Sequence, residues 1–304
     1  LEEDKFQKIV CAYLAEYAVK YFGEEQLESN SFTYRLKTIL DNVMYLMKHI
    51  MEELSQSEFF VADCELKIGE DIPSYTIVLP DSHKIAVCGS VDRVDIMQRA
   101  DITYLRIIDY KTGTKQFKLS DILYGINLQM LLYLHSIEAS GGDKYGEIVP
   151  AGILYMPATV PYISSDSLKS IDKLPDELNK KLKMNGLLLK DTEIIHGMDK
   201  TDAATYIPVK IKAGEPVSST SLATLAEFGK IFKKVDMLIA EMGKNIYNGN
   251  IEAKPLKGGH DSCEYCPYDS VCAYRQSNPI TCFSVDNKTV IEEITNEING
   301  KEEE

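Results

Sequence analysis

Gly89-Ser90-Val91-Asp92-Arg93-Val94-Asp95, then Leu105-Arg106-Ile107-Ile108-Asp109-Tyr110-Lys111-Thr112-Gly113, are the two runs on which the fold turns. Between them stands Gln98-Arg99-Ala100-Asp101. Both runs are rich in β-branched residues, and the polar stretch between them reads as the turn of a β-hairpin. A turn centred on Ala100-Asp101 places Asp92 directly opposite Asp109. Directly opposed residues share a face, with Cβ atoms roughly 4.5–5.5 Å apart. Alternation along the second strand puts Leu105, Ile107, Asp109 and Lys111 on one face. Two facing carboxylates at the end of an apolar strand repel each other, and a cation between them removes that cost. Oxygen ligands of this kind select Mg²⁺ or Mn²⁺. Lys111 then stands beside the ion, placed to orient a water or to meet charge on a phosphate, as metal-assisted phosphodiester hydrolysis requires. The plainer reading makes Asp92, Asp95 and Asp109 solvent-facing residues near turns with Lys111 as a salt-bridge partner. The apolar Ile107-Ile108 and the opposed Asp92 weigh against it.

Outward from the hairpin, residues 1–57 carry apolar positions at helical spacing in two segments, and strands begin near residue 58. The spacing predicts one helix over 120–139, with Ser120 as N-cap and Gly141-Gly142 as the stop. On it Gln129 and Tyr133 stand at i and i+4, so they share a face; the apolar neighbours predict a buried helix in which Gln129 finds partners near Asp109. The plainer reading is an ordinary core tyrosine. A strand is expected at 148–156, an insertion near 157–215, and one long helix over 219–247. Helix, strands, helix, strand is an α/β core with a mixed sheet. The core is expected over 58–250, a cysteine lobe over 251–283 and a polar, frayed tail over 284–304.

The lobe holds Cys263-Glu-Tyr-Cys266-Pro-Tyr-Asp-Ser-Val-Cys272. Seven cysteines, three of them crowded here, are no disulfide framework and fit a reducing, cytoplasmic setting with one metal site. An iron–sulfur cluster completed by a remote thiolate and a Cys₃His zinc knuckle using His260 both remain open. Cys64, Cys88 and Cys282 read as small buried hydrophobes, and so does Cys11 unless it serves as the remote ligand. No apolar run reaches the roughly 18 residues of a membrane span. The net charge of −14 argues against nonspecific nucleic-acid binding by a basic surface, although a bound metal ion inverts the charge logic locally. Lacking an initiator methionine, the chain is expected to be a fragment of a longer protein.

Together these motifs resemble the PD-(D/E)XK nuclease core of the RecB class, a restriction-endonuclease-like fold. The matching residues are Gly89-Ser-Val-Asp92-Arg-Val-Asp, Ile108-Asp109-Tyr110-Lys111-Thr-Gly and Gln129-Met-Leu-Leu-Tyr133. The cysteine run, Ala151-Gly-Ile-Leu-Tyr-Met-Pro and Met184-Asn-Gly-Leu-Leu-Leu are similar to B subunits of AddAB-type helicase–nucleases, over about residues 58–283. The resemblance implies Asp92, Asp109 and the Tyr110 carbonyl as ligands of Mg²⁺ or Mn²⁺. It makes Lys111 the catalytic lysine and Gln129 with Tyr133 a pair near the DNA. It gives Cys263, Cys266 and Cys272 to a [4Fe–4S] cluster in an iron–sulfur lobe. It further implies a DNA exonuclease cutting the 5′-ended strand at double-strand breaks, with DNA and an AddA-type helicase–nuclease subunit as partners. The family's fourth cysteine and active-site histidine are expected upstream of Leu1, with Cys11 and His49 the only internal candidates. Two rival readings are a nuclease-like module that only binds DNA or a partner, and a free-standing Cas4-like exonuclease.

Overall fold

The computed structural model describes residues 3–27, 29–113, 115–161, 174–218, 220–268, 270–272, 274 and 279–302. The chain opens with α1 (Glu3–Phe22), α2 (Glu24–Leu27) and α3 (Asn30–Ser55). Strands β1 (Phe60–Ile68), β2 (Tyr75–Val78), β3 (Lys84–Val87), β4 (Gly89–Arg99) and β5 (Ile102–Lys111) follow. A 3-10 turn at Leu119–Tyr124 leads to α4 (Gln129–Ser140), α5 (Gly142–Tyr145) and β6 (Glu147–Pro157). Next come α6 (Leu174–Leu182), β7 (Asn185–Leu189), α7 (Thr192–Met198), β8 (Lys210–Lys212), β9 (Glu215–Val217) and β10 (Leu222–Ala223). The last elements are α8 (Leu225–Tyr247), β11 (Leu256–Gly258), β12 (Ile280–Cys282) and α9 (Asn287–Glu302).

The main sheet has the order β1-β4-β5-β6-β7-β10. It is mixed: β5 with β6 and β7 with β10 are parallel, and the other pairs antiparallel. Central strands carry unbroken apolar runs because both their faces are covered. Ile107, Ile108, Ile153, Leu154, Leu187 and Leu188 are all at most 1% exposed. Helices flank this sheet, as an α/β fold requires. The parallel β5–β6 pair needs a crossover, and that crossover carries α4, which packs on both strands.

The β4–β5 ladder runs from Arg99↔Ile102 to Arg93↔Ile108, the register expected from a turn at Ala100-Asp101. Ala100 takes a φ of 50°, the left-handed conformation that a two-residue hairpin turn demands. Alternation then separates two faces. Asp92, Val94, Ile96, Leu105, Ile107 and Asp109 lie on one; Arg93, Asp95 and Arg106 lie on the other. On the second face a buried ion network joins the hairpin to α3. Arg93 binds Asp95 through Nε at 2.7 Å and Nη2 at 2.6 Å, and Glu53 at 3.0 Å. Arg106 Nη2 reaches Glu53 at 2.6 Å and Asp95 at 2.9 Å. All four side chains are at most 2% exposed. Asp95 is therefore a structural carboxylate, neither solvent-facing nor a partner of Asp109. Removing one member of such a network costs roughly 3–5 kcal/mol, because it strands buried charge.

Several expectations need correction. The helix expected over 120–139 is two elements, because Gly125 (φ 68°) and Asn127 (φ 55°) both take left-handed conformations that end the first turn. Ser120 is buried and caps nothing: the N-cap of the 3-10 turn is Lys118, without a side-chain cap. The expected insertion contributes β7, a strand of the sheet itself, and α7, whose Gly197 packs so closely on Met97 that a Cβ would come 2.6 Å from its Sδ. Part of that stretch, 162–173, lies outside the described residues. The long helix begins at Leu225 rather than 219, after β10. Thr224 accepts from Glu227 N–H at 3.2 Å while Glu227 accepts from Thr224 N–H at 2.7 Å, a reciprocal cap that fixes the start. The tail expected to fray is α9, docked on α8 by Val290, Ile291, Ile294 and Ile298, each at most 9% exposed. Cys11, Cys64 and Cys88 are exposed rather than buried; Cys282 is buried.

Candidate active site

The site sits where β4 begins and β5 ends. One step beyond Arg93↔Ile108, the same register sets Asp92 against Asp109. Asp92 Oδ2 accepts the backbone N–H of Tyr110 at 2.9 Å, so the carboxylate takes over where the ladder stops. Asp109 is 7% exposed, placed there by the apolar Leu105 and Ile107 preceding it on the same face. Lys111 Nζ stands 2.5 Å from Asp109 Oδ2, an ion pair at the end of β5. Lys111 balances one buried carboxylate, and the opposed Asp92 adds a second negative charge that a divalent ion would balance. The opposed carboxylates of Asp92 and Asp109 thus supply oxygen ligands of the kind a hard divalent ion takes.

Gln129 and Tyr133 form a hydrogen bond at 3.5 Å, at the long limit, on the first turn of α4. Gln129 is exposed, not buried as expected, because it is the first helical residue. Tyr133 lies over the start of β4: a Cβ on Gly89 would fall 2.3 Å from Tyr133 Oη. Gly89 is required there, since any side chain would displace that ring. Gly89 opens β4, at the same end of the sheet as Lys111, the last residue of β5.

Two residues of the site, Tyr155 and Lys115, carry no signal in the sequence pattern. The parallel β5–β6 register pairs Asp109 with Tyr155. Tyr155 is 2% exposed, and its hydroxyl has no hydrogen-bond partner. Burial, then the negative charges of Asp109 and Asp121, push its pKa up to about 12. Lys111 Nζ lies 5.7 Å and Lys115 Nζ 5.1 Å from the centre of its ring. Burial, then the neighbouring Lys111, hold the Lys115 ammonium below the usual lysine range. Only the register of a distant strand brings Tyr155 here.

Other candidates fall elsewhere. His49 is 7% exposed on α3, its ring 5.3 Å from that of Tyr206, one turn before Glu53 of the ion network. Burial holds its pKa below the usual histidine value. Cys11 is exposed on α1. In the lobe, β11 and β12 pair in parallel, and Cys263, Cys266 and Cys272 are separate free thiols. Among the described residues no group of three or more His, Cys, Asp or Glu is arranged to hold a metal ion.

A hairpin that opposes two carboxylates beside a lysine, on a mixed sheet closed by a crossover helix, defines a nuclease class. Residues 3–273 match the PD-(D/E)XK nuclease superfamily, and the chain belongs to it. Relatives narrow the kinship further. Three of them are B subunits of an ATP-dependent helicase/deoxyribonuclease. To the one from Thermoanaerobacter sp. (strain X514) the chain is 38% identical over 246 residues, covering 79% of this chain and 21% of that protein. To its counterpart in Alkaliphilus oremlandii it is 35% identical over 274 residues, covering 86% and 24%. The Clostridium kluyveri counterpart is 36% identical over 281 residues, covering 90% and 24%. The chain thus spans between a fifth and a quarter of the length of these relatives. No helix among the described residues is long and apolar enough to cross a membrane.

Proposed function

We propose that this chain is the deoxyribonuclease part of a helicase–nuclease B subunit. It acts in the cytoplasm with an AddA-type partner and hydrolyses phosphodiesters of the 5′-ended strand at double-strand breaks, for recombinational repair. The observation that carries the reading is the buried Asp109 carboxylate, gathered with Asp92 and Lys111 at one end of the sheet.

A divalent ion held by Asp92, Asp109 and the Tyr110 carbonyl supplies Lewis acidity toward the phosphate and acidity to water. The protein's own groups do the rest. Asp92, tied to the Tyr110 N–H, keeps the end of β5 in register. Lys111 meets the charge that grows on phosphate oxygen as water's oxygen bonds to phosphorus and the P–O bond to the leaving strand breaks. Tyr155 gives Lys111 an aromatic face to rest on. Gln129 and Tyr133 face the strand at the mouth of the site.

The [4Fe–4S] assignment of Cys263, Cys266 and Cys272 rests on the resemblance to helicase–nuclease B subunits, with a fourth thiolate from elsewhere; no step is derived through it. The relatives' length favours part of a larger protein over a free-standing exonuclease. A module that only binds has no physical use for two opposed carboxylates.

The test is end digestion of duplex DNA by the full-length complex. Asp109→Ala or Lys111→Ala should lower Mg²⁺-dependent digestion of the 5′-ended strand by about 10²–10³, while unwinding continues. Undiminished digestion by Lys111→Ala would remove the lysine from the chemistry.

A further inference from the structure

We propose that the cleft beyond the ends of β5 and β6 is the track of the strand adjoining the scissile phosphate, with Lys115 as its first phosphate-binding residue. This deepens the nuclease reading and rests on it. The cleft, about 900 Å³, opens at Thr112, the residue after Lys111, and runs between the loop after β5, the end of β6 and the start of β7.

The charge of its described lining is the reverse of the chain's. Against a net charge of −14, the described lining includes Lys115, Lys180, Lys181 and Lys183 and no Asp or Glu. Not all of these are equivalent. Lys180 pairs with Glu177 at 2.9 Å, and Lys183 donates to the carbonyls of Ala204 at 2.6 Å and Val209 at 3.0 Å. Lys115 instead rests on the ring of Tyr155, which Lys111 shares. Two ammoniums over one ring repel, and only Lys111 is in contact with a carboxylate. An anion lying against both relieves that repulsion, and a phosphodiester next to the reacting one is such an anion.

The backbone at Thr112, Lys115 and Phe117 is held in place. Asn185 donates to the Lys115 carbonyl at 3.0 Å and accepts the Phe117 N–H at 2.7 Å. Thr159 donates to the Thr112 carbonyl at 3.2 Å. The backbone beneath the ammonium is therefore fixed, which spares part of the ordering cost on binding.

Full-length protein should be tested with Mg²⁺ on end-labelled single strands that carry one neutral methylphosphonate at successive positions. Lys115→Ala should raise KM ~10-fold with kcat held within ~3-fold, the pattern of lost uniform binding. The slope of log affinity against log salt should fall by about 0.7, one phosphate contact. Lys115→Arg should restore both. At one linkage beside the cut, the neutral substitution should slow the wild type and leave Lys115→Ala no slower. Unchanged KM and salt slope in Lys115→Ala, or equal penalties in both proteins at every linkage, overturn the track. Asp109→Ala separates the two claims. If it is inactive while Lys115→Ala behaves as wild type, only the track fails; if it retains Mg²⁺-dependent cleavage, the nuclease reading fails with it.

Discussion

His135 shows how a single residue ties the site's helix to its support. Its Nε2 lies 3.2 Å from Asp236 Oδ2 and its Nδ1 3.3 Å from Glu138 Oε2, while Tyr75 donates to the same Asp236 oxygen at 2.9 Å. The ring stacks on Phe232 at 4.6 Å. Burial lowers its pKa, but the bonds and charges of Asp236 and Glu138 outweigh burial and carry it up to about 9. A folded-state pKa above the unfolded one stabilises the fold fully below the unfolded pKa of about 6.5, and that stability is lost as pH rises through the folded value. Denaturant unfolding should therefore show a loss on the order of 1–2 kcal/mol between about pH 7 and 9.5, with solvent screening allowed for. His135→Gln should flatten that slope; a slope as steep in the variant would assign it to other groups. At this scale the hairpin is legible in the sequence, because alternation and a polar turn fix which residues oppose. Tyr155 and Lys115 are not, because a parallel register is set by the length and packing of a crossover, which no local pattern encodes.

Among the elements, α9 is where the pattern most easily misleads. Val290, Ile291, Ile294 and Ile298 do recur at helical spacing, but Lys, Glu and Asn surround them and the stretch reads as solvated. In the fold the apolar stripe closes against α8 and the 3-10 turn, and Lys234, only 6% exposed, meets Glu297 at 2.5 Å. Ile294 is fully buried, so Ile294→Ala should destabilise the protein by about 2–4 kcal/mol in denaturant unfolding. A change within about 0.5 kcal/mol is what an exposed tail residue gives, and it would rule out the docking. The break between the 3-10 turn and α4 is hidden for another reason. Apolar spacing runs straight through Ile122, Leu123, Ile126 and Leu128, and only Gly125 and Asn127 mark the stop. That break makes Gln129 the first residue of α4.

Across the whole molecule, acidic charge and nuclease chemistry coexist because charge is sorted by place. The opposed carboxylates stand at one end of the sheet, the lysine-lined cleft begins at the next residue, and the Glu53–Arg93–Asp95–Arg106 network closes the opposite face. Composition reports only the average, which is why −14 weighs against a DNA partner when the sequence is read alone. Every step of the proposed chemistry depends on Asp92 and Asp109 seating a divalent ion. Iron-directed backbone cleavage can locate that ion: nucleotide-free, full-length protein is loaded with Fe²⁺ in place of Mg²⁺, treated with ascorbate and peroxide, and its fragments are mapped. Cuts are expected beside Asp92 and beside Asp109–Lys111, suppressed by excess Mg²⁺ and absent in Asp109→Ala. Cuts confined to other segments, or cuts at this hairpin that persist in Asp109→Ala, would place the ion elsewhere and refute the site.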